Sequence, residues 1–172
     1  EAFVAFVETH QDSIEKVIFN QAGFMLIEGA AREADVTRRV FARPVVPVFR
    51  VDQTTVTKTV DYLQRLSKYV NVAWLGPWIE PHLNAAQLLR LSLRCDIKGV
   101  VQRSNKIKTF ELLDGYLDER LSKIDSIDYV SAVKGIGFNW SRDLYGCDGP
   151  FWNDRDHFSA LGEQRFGARL MA

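Results

Sequence analysis

A helical pattern that leads straight into a short apolar strand pattern is the sequence feature that most restricts the fold. Apolar residues recur every three or four positions from Val56 to Val70, after a polar segment, Asp52-Gln-Thr-Thr55, that is suited to cap a helix. Val72-Ala-Trp-Leu75 then forms an apolar run bounded by Gly76-Pro77, which is typical of a buried parallel strand ending at a loop. A helix followed directly by a buried strand is the repeating unit of α/β proteins.

The same alternation occurs on both sides of this unit. Apolar residues at helical spacing near the amino terminus precede a predicted short buried strand at Lys16–Phe19, and a long helical pattern from Ile107 to Ile124 precedes a strand candidate at Ile127–Val130. A last helix is predicted from about Ser159 to Met171, and the residues expected to face inward on it are Leu161, Phe166 and Leu170. The sequence therefore predicts a single α/β domain over residues 1–172, built around a mostly parallel sheet.

The connecting segments are less regular. Phe24–Ile27 is predicted to lead into a loop and an irregular helix ending near Asp35. Phe41–Val51 contains two prolines, which lack a backbone N–H, and this favours an edge strand or an extended loop. Pro81–Leu93 has a helical pattern.

The charge balance restricts the class of partner. The 172 residues include 22 Lys and Arg and 22 Asp and Glu, so the formal net charge is zero. A chain without a net charge has no long-range field to attract polyanions, which argues against nucleic acid or an anionic membrane surface as the main partner. The most apolar run, Val45–Val51, is interrupted by Pro47 and Arg50, so no membrane span is predicted.

The two cysteines, Cys95 and Cys147, leave two alternatives open. Neither lies in a C-x-x-C motif or beside a histidine, so a metal site is not indicated, and the pair is either two free thiols or one disulfide. A disulfide would close a loop of about 50 residues, would add up to about 4 kcal/mol of stability, and would require an oxidising compartment.

A short motif near the carboxyl terminus carries the most chemical information. Asp154-Arg-Asp-His157 is a D-x-x-H pattern, and it is followed by Phe158-Ser159 and by Gly162. A carboxylate three residues before an imidazole can fix the tautomer of the ring and stabilise the imidazolium. A loop before the last helix would place this pair at the carboxyl ends of the strands, where α/β proteins bind their ligands.

This segment resembles the last block of the SGNH hydrolase superfamily, in which D-x-x-H is commonly followed by Leu-Ser and then by a glycine. Together with Asp148-Gly-Pro-Phe-Trp152, it is most similar to SGNH domains fused to membrane acyltransferases that modify surface polysaccharides. A weaker likeness extends through Ile14–Gly29 and from Thr54 through Glu80-Pro81. The resemblance implies a three-layer α/β sandwich of the SGNH or flavodoxin-like type.

The resemblance also implies an activity. The whole protein would transfer an acyl group, acetyl being the first expectation, to or from a cell-surface glycan through a Ser-His-Asp triad without a cofactor or a metal. His157 would take the serine proton, Asp154 would orient His157, and Asn20 is a weak candidate for an oxyanion-hole donor. The implied partners are an acyl donor, a glycan acceptor and a membrane acyltransferase domain in the same polypeptide. The implied location is the periplasmic or extracytoplasmic side of a bacterial membrane.

The nucleophile of that family is missing from this sequence. No Gly-Asp-Ser occurs, the serines of Asp12-Ser13 and Asp125-Ser126 have no glycine before the aspartate, and Asn20 lacks the glycine that should precede it. We therefore expect an SGNH-like domain without its amino-terminal strand, which would leave an unpaired strand edge and an exposed apolar slot.

Other interpretations stay open. Asp154 could close a turn through a backbone N–H while His157 bonds to a backbone carbonyl, or Asp154, Asp156 and His157 could bind a metal ion. Trp78 and Trp152 fall in loops where stacking on a sugar is sterically possible, although core packing is the more common role. In a different class, the chain would be a catalytically inactive SGNH-like binding or scaffolding module.

Overall fold

The computed structural model describes residues 1–29, 40, 48–81, 86, 104–154 and 157–171. Within these ranges the helices are α1 (Ala2–Thr9), α2 (Gln53–Leu66), α3 (Ser104–Leu121), α4 (Ala132–Ile136), α5 (Trp140–Asp143) and α6 (Ala160–Leu170). The strands are β1 (Lys16–Asn20), β2 (Asn71–Leu75), β3 (Asp128–Val130), β4 (Tyr145–Gly146) and β5 (Gly149–Pro150). Two short 3-10 turns lie at Gln11–Ser13 and Gly23–Leu26.

Three of these strands form one parallel sheet. The order is β1-β2-β3, with Lys16 opposite Asn71 and Ala73 opposite Asp128, whereas β4 and β5 form a separate antiparallel pair. The prediction of an α/β fold around a parallel sheet is confirmed.

The two long helices cover one face of the sheet. The Asp52 side chain caps α2 by accepting a hydrogen bond from the backbone N–H of Thr55 at 2.9 Å, and α3 follows β2. Their apolar stripes pack with β2 in one core, formed by Val56, Val60, Leu63, Leu66, Val72, Trp74, Leu113, Leu117 and Leu121. Right-handed crossovers between strands that follow one another in sheet order place both helices on the same side.

The second face of the sheet is much more exposed. Ile18 on β1 keeps 68% of its surface exposed and Val130 on β3 keeps 41%. On the same face, Lys16 Nζ of β1 lies 3.1 Å from Asp128 Oδ2 of β3. The ion pair passes over β2, where the residue on this face is the small, buried Ala73. The prediction that β1 is a buried strand is therefore wrong, because Lys16, Ile18 and Asn20 are exposed on this face and its other two residues are only half-buried. Within the described ranges, β1 is also an edge strand that pairs with β2 alone.

A separate core forms around the carboxyl-terminal helix. Phe166 of α6 packs against Phe151 and Trp152, with Ala132 and Ile136 of α4 in the same cluster. Leu161 is wrongly predicted to face inward, since it is 38% exposed on the first turn of α6. The short helices α4 and α5, of five and four residues, give too few turns for a periodic pattern to reveal them.

Some predictions fall on residues outside the described ranges. These include most of the irregular helix ending near Asp35, most of Phe41–Val51 and most of Pro81–Leu93. At the edge of these segments, Val51 forms a single antiparallel bridge with Ile27. Among the helices in the described ranges, none combines the length and the apolar character needed to span a bilayer.

Candidate functional site

Asp154 and His157 are the two ends of the D-x-x-H motif and lie beside two backbone-paired segments before α6, which are here called the hairpin: Asp154 follows the first segment and His157 begins the second. Trp152 and Phe158 face each other in an antiparallel bridge. The backbone N–H of Asn153 donates to the carbonyl of His157 at 2.9 Å, and that of Ser159 donates to the carbonyl of Phe151 at 3.0 Å. The two arms of the hairpin, Phe151–Asn153 and His157–Ser159, are therefore tied together by backbone bonds next to the motif.

The structure brings the Asp154 carboxylate and the His157 imidazole into direct contact. His157 Nδ1 lies 2.9 Å from Asp154 Oδ2 and 3.0 Å from Oδ1. Because an ionised carboxylate only accepts hydrogen bonds, Nδ1 carries the proton of the neutral ring and Nε2 carries the lone pair. The side chains are 72% exposed for His157 and 52% exposed for Asp154, so the pair faces solvent.

The turn-closing interpretation of Asp154 also holds. The backbone N–H of His157 donates to Asp154 Oδ1 at 2.9 Å, so the same carboxylate closes the turn and receives the imidazole N–H. This dual use fixes the carboxylate from the backbone. It also explains why the spacing of three residues is suited to orienting the ring.

Ser159 and Gly162, which follow the D-x-x-H motif, attach the hairpin to α6. Ser159 caps the helix by accepting from the Gly162 N–H at 3.1 Å, and its hydroxyl donates to the Pro150 carbonyl at 2.5 Å. A Cβ atom on Gly162 would lie only 2.0 Å from the Phe151 carbonyl oxygen. The glycine is therefore needed for the close approach of the first turn of α6 to the first arm of the hairpin.

A buried carboxylate beneath the hairpin joins both of its arms. Asp143 is fully buried and accepts from Arg169 Nη1 at 2.9 Å, Arg169 Nη2 at 2.8 Å and Arg165 Nε at 3.2 Å, and from the backbone N–H of Asn139 at 2.7 Å. Burial raises the pKa of Asp143, but the hydrogen bonds from Arg169 and Asn139 outweigh it and hold the pKa below its ordinary value. The Asp143 carbonyl also accepts from the Trp152 indole N–H at 2.9 Å.

Sequence reasoning missed Asp143. The available signal was the spacing of Arg165 and Arg169, which places two guanidinium groups on one side of α6. Neither arginine indicates by itself which distant carboxylate it meets.

Aromatic contacts place the hairpin at the carboxyl end of β2. The ring of Trp78, in the segment after β2, lies 5.1 Å from the ring of Phe158, and Leu75 at the end of β2 packs on the same core. Trp152 is buried in that core, which excludes it as a sugar platform, while Trp78 is half-buried.

Asn20 is the last residue of β1, so it lies at the carboxyl ends of the parallel strands, as the hairpin does. Its side-chain amide donates to the carbonyl of Leu75 at 3.0 Å. In contrast, Ser13 and Ser126 both lie before the strands that follow them, β1 and β3. In a parallel sheet these two serines therefore lie at the amino ends of the strands, whereas the hairpin lies at the carboxyl ends.

The remaining candidates add no metal centre to the described part of the chain. There, no three His, Cys, Asp or Glu side chains are grouped so as to hold a metal ion, and Asp156 and His82 lie outside it. His10 Nδ1 bonds to the Phe6 carbonyl at 2.8 Å. Cys147 is disulfide-bonded, and Cys95 is outside the described residues.

Protein-family models, curated proteins and solved structures were all compared with the chain, and none of them matches it.

Proposed function

We propose that this chain is the larger, carboxyl-terminal part of an SGNH-type domain that transfers an acyl group, acetyl being the first candidate, to or from a cell-surface glycan. The observation that supports this most directly is the Asp154–His157 contact at the exposed end of the hairpin. In this mechanism Nε2 of His157 takes the proton of a serine hydroxyl as that oxygen attacks the acyl carbon. His157 then gives the proton to the departing donor oxygen, which leaves the acyl group on the serine. In the second half of the reaction Nε2 takes the proton of an acceptor hydroxyl or water as that oxygen attacks the acyl carbon, and returns it to the serine oxygen as the acyl–serine bond breaks. Asp154 stabilises the imidazolium in both halves.

We place the serine on a further strand that pairs with the outer edge of β1. Within the described ranges the outer edge of β1 has no partner strand. Parallel sheets are also normally covered on both faces, whereas Ile18 is largely exposed, so a helix that accompanies the added strand would have a face to cover. A parallel strand at this edge would end beside Asn20, on the side of the sheet that carries the hairpin. The added strand and its helix would complete the three-layer sandwich of the SGNH or flavodoxin-like type.

The proposed location is extracytoplasmic. The disulfide at Cys147 supports it, because disulfides persist mainly in oxidising compartments. In that setting the partners are an acyl donor, a glycan acceptor and a membrane acyltransferase domain of the same polypeptide.

The test is hydrolysis of an aryl acetate by the longer polypeptide encoded by the reading frame that contains this chain. His157→Ala should lower kcat/KM by about 10³-fold or more, because the serine loses its base. His10→Ala is the matched control and should leave the rate unchanged, since His10 lies at the end of α1. Activity retained in His157→Ala would exclude the proposed mechanism.

A second experiment locates the serine. The chain of 172 residues should show no hydrolysis above background on its own, because Ser13 and Ser126 lie at the wrong end of the sheet. Burst kinetics from this chain alone would contradict the proposal, and Ser13→Ala would then be the first variant to measure.

The second candidate is an inactive binding or scaffolding module. The specific observation in its favour is the same placement of Ser13 and Ser126 away from the hairpin. The reading frame upstream of Glu1 separates the two candidates. A Gly-Asp-Ser within about 100 residues, the size of part of one domain, supports the enzyme. A start codon beside Glu1 supports the module.

Substitution of Ile18 tests the position of the added strand. In the 172-residue chain, Ile18→Lys should change the free energy of unfolding by at most about 0.5 kcal/mol, because the side chain is already exposed. In the longer polypeptide it should cost about 2 kcal/mol or more, because the lysine would be buried beneath the added unit. Met25→Lys, another exposed apolar position, is the control, and equal small effects of Ile18→Lys in both proteins would refute the docking.

A further inference from the structure

We infer that Asp143 is a positioning residue for His157, acting through both arms of the hairpin. The inference uses the proposed function only in treating His157 as the base. The contacts that carry it are present whatever the reaction is.

The first arm is held by the main chain of Asp143. Its carbonyl oxygen receives the indole N–H of Trp152 at 2.9 Å. Trp152 is buried and pairs with Phe158 across the hairpin, and its neighbour Asn153 bonds to the His157 carbonyl. A shift of the indole would therefore be passed to the backbone of His157 and Phe158.

The second arm is held by the side chain of Asp143. Its carboxylate oxygens receive both terminal nitrogens of Arg169 and Nε of Arg165, which fixes the side of α6 that carries both arginines. Ser159, which ends the second arm, is the N-cap of that helix. One buried residue thus contacts Trp152 of the first arm and the helix that follows the second arm.

The two side chains of the pair face solvent. Asp154 and His157 are mostly exposed, and their mutual geometry depends on the turn that the two arms close. If the arms move, the carboxylate and Nδ1 separate, and the neutral ring loses the interaction that selects its Nδ1–H tautomer.

The test is 15N NMR of the imidazole nitrogens at a pH where the rings are neutral. The His157 signals are assigned by comparison with His157→Gln. The wild-type ring should be mainly the Nδ1–H tautomer, and Asp154→Ala gives the value without the carboxylate. Asp143→Asn and Trp152→Phe should each lower the ratio of Nδ1–H to Nε2–H by about threefold or more.

Asp114→Asn is the matched control. Asp114 is also almost fully buried, and its carboxylate accepts from the hydroxyls of Tyr129 and Ser131 at 2.7 Å each, neither of which belongs to the hairpin. It should lower stability while leaving the tautomer ratio of His157 unchanged. A purely structural role for Asp143 predicts the same result for Asp143→Asn.

A wild-type tautomer ratio in folded Asp143→Asn would overturn the inference. If Asp143→Asn does not fold, Trp152→Phe decides whether the inference holds, because a phenyl ring replaces the indole and only the N–H donor and the second ring are lost. The measurement needs no substrate, so failure of aryl acetate hydrolysis would refute the proposed function and leave this inference standing. If the longer polypeptide hydrolyses the aryl acetate but folded Asp143→Asn keeps the wild-type tautomer ratio, this inference is refuted and the proposed function stands.

Discussion

Gly162→Ala should destabilise the folded chain by about 2–3 kcal/mol, because a Cβ atom cannot be accommodated there without moving backbone. That atom would lie 2.0 Å from the Phe151 carbonyl oxygen and 3.0 Å from its carbonyl carbon. The first turn of α6 would have to move away from the hairpin, weakening the Ser159 cap. Urea unfolding followed by circular dichroism measures the loss.

Gly167→Ala is the control on the same helix. No atom lies within 4 Å of the Cβ that it would add. Alanine is the better helix former, so this variant should be more stable by up to about 1 kcal/mol. If the two variants had similar stability, the close approach of α6 to Phe151 would not be needed for the fold.

Arg169→Met should lower the free energy of unfolding by about 2 kcal/mol or more at neutral pH, because it leaves the buried Asp143 carboxylate without its bidentate arginine partner. Arg169 supplies two of the hydrogen bonds to Asp143, whose side chain is fully buried, and Arg165 supplies one more. Lys134→Met is the control. It breaks the pair with Asp118 on the surface, where both partners are largely solvated, and should change stability little.

The cost of Arg169→Met should also depend on pH. The pKa of Asp143 is lowered in the folded chain, so its ion pairs stabilise the fold above the ordinary carboxyl range and this stabilisation is lost as the pH falls through the lowered pKa. Without Arg169 the carboxylate protonates more readily, which relieves the buried charge in acid. The difference in free energy of unfolding between wild type and Arg169→Met should therefore become smaller below about pH 4. A difference that does not change with pH would show that Asp143 is not the group involved.

The parts of the fold that the sequence predicts are those set by nearby residues. The α2–β2 unit is confirmed because the periodic apolar positions and the Asp52 cap are local signals. The Asp154–His157 contact forms for the same reason, since its partners are three residues apart. The catalytic role of that pair stays a prediction.

The errors concern features set by distant neighbours. The exposure of Ile18 depends on which element packs on the second face of the sheet, and no apolar pattern within Lys16–Asn20 encodes that. The partners of Asp143 lie 22 and 26 residues further along the chain. Leu161 has the spacing of an inward residue, but it is on the part of α6 that stays exposed.

The hairpin is built from contacts that are short in sequence. Ser159 reaches back nine residues to Pro150, and Trp152 reaches back nine to Asp143, whereas Asn20 meets Leu75 across 55 residues. The entropy cost of closing a loop rises with its length, so contacts of this kind form early in folding. The turn that holds His157 can therefore assemble before the sheet is in register.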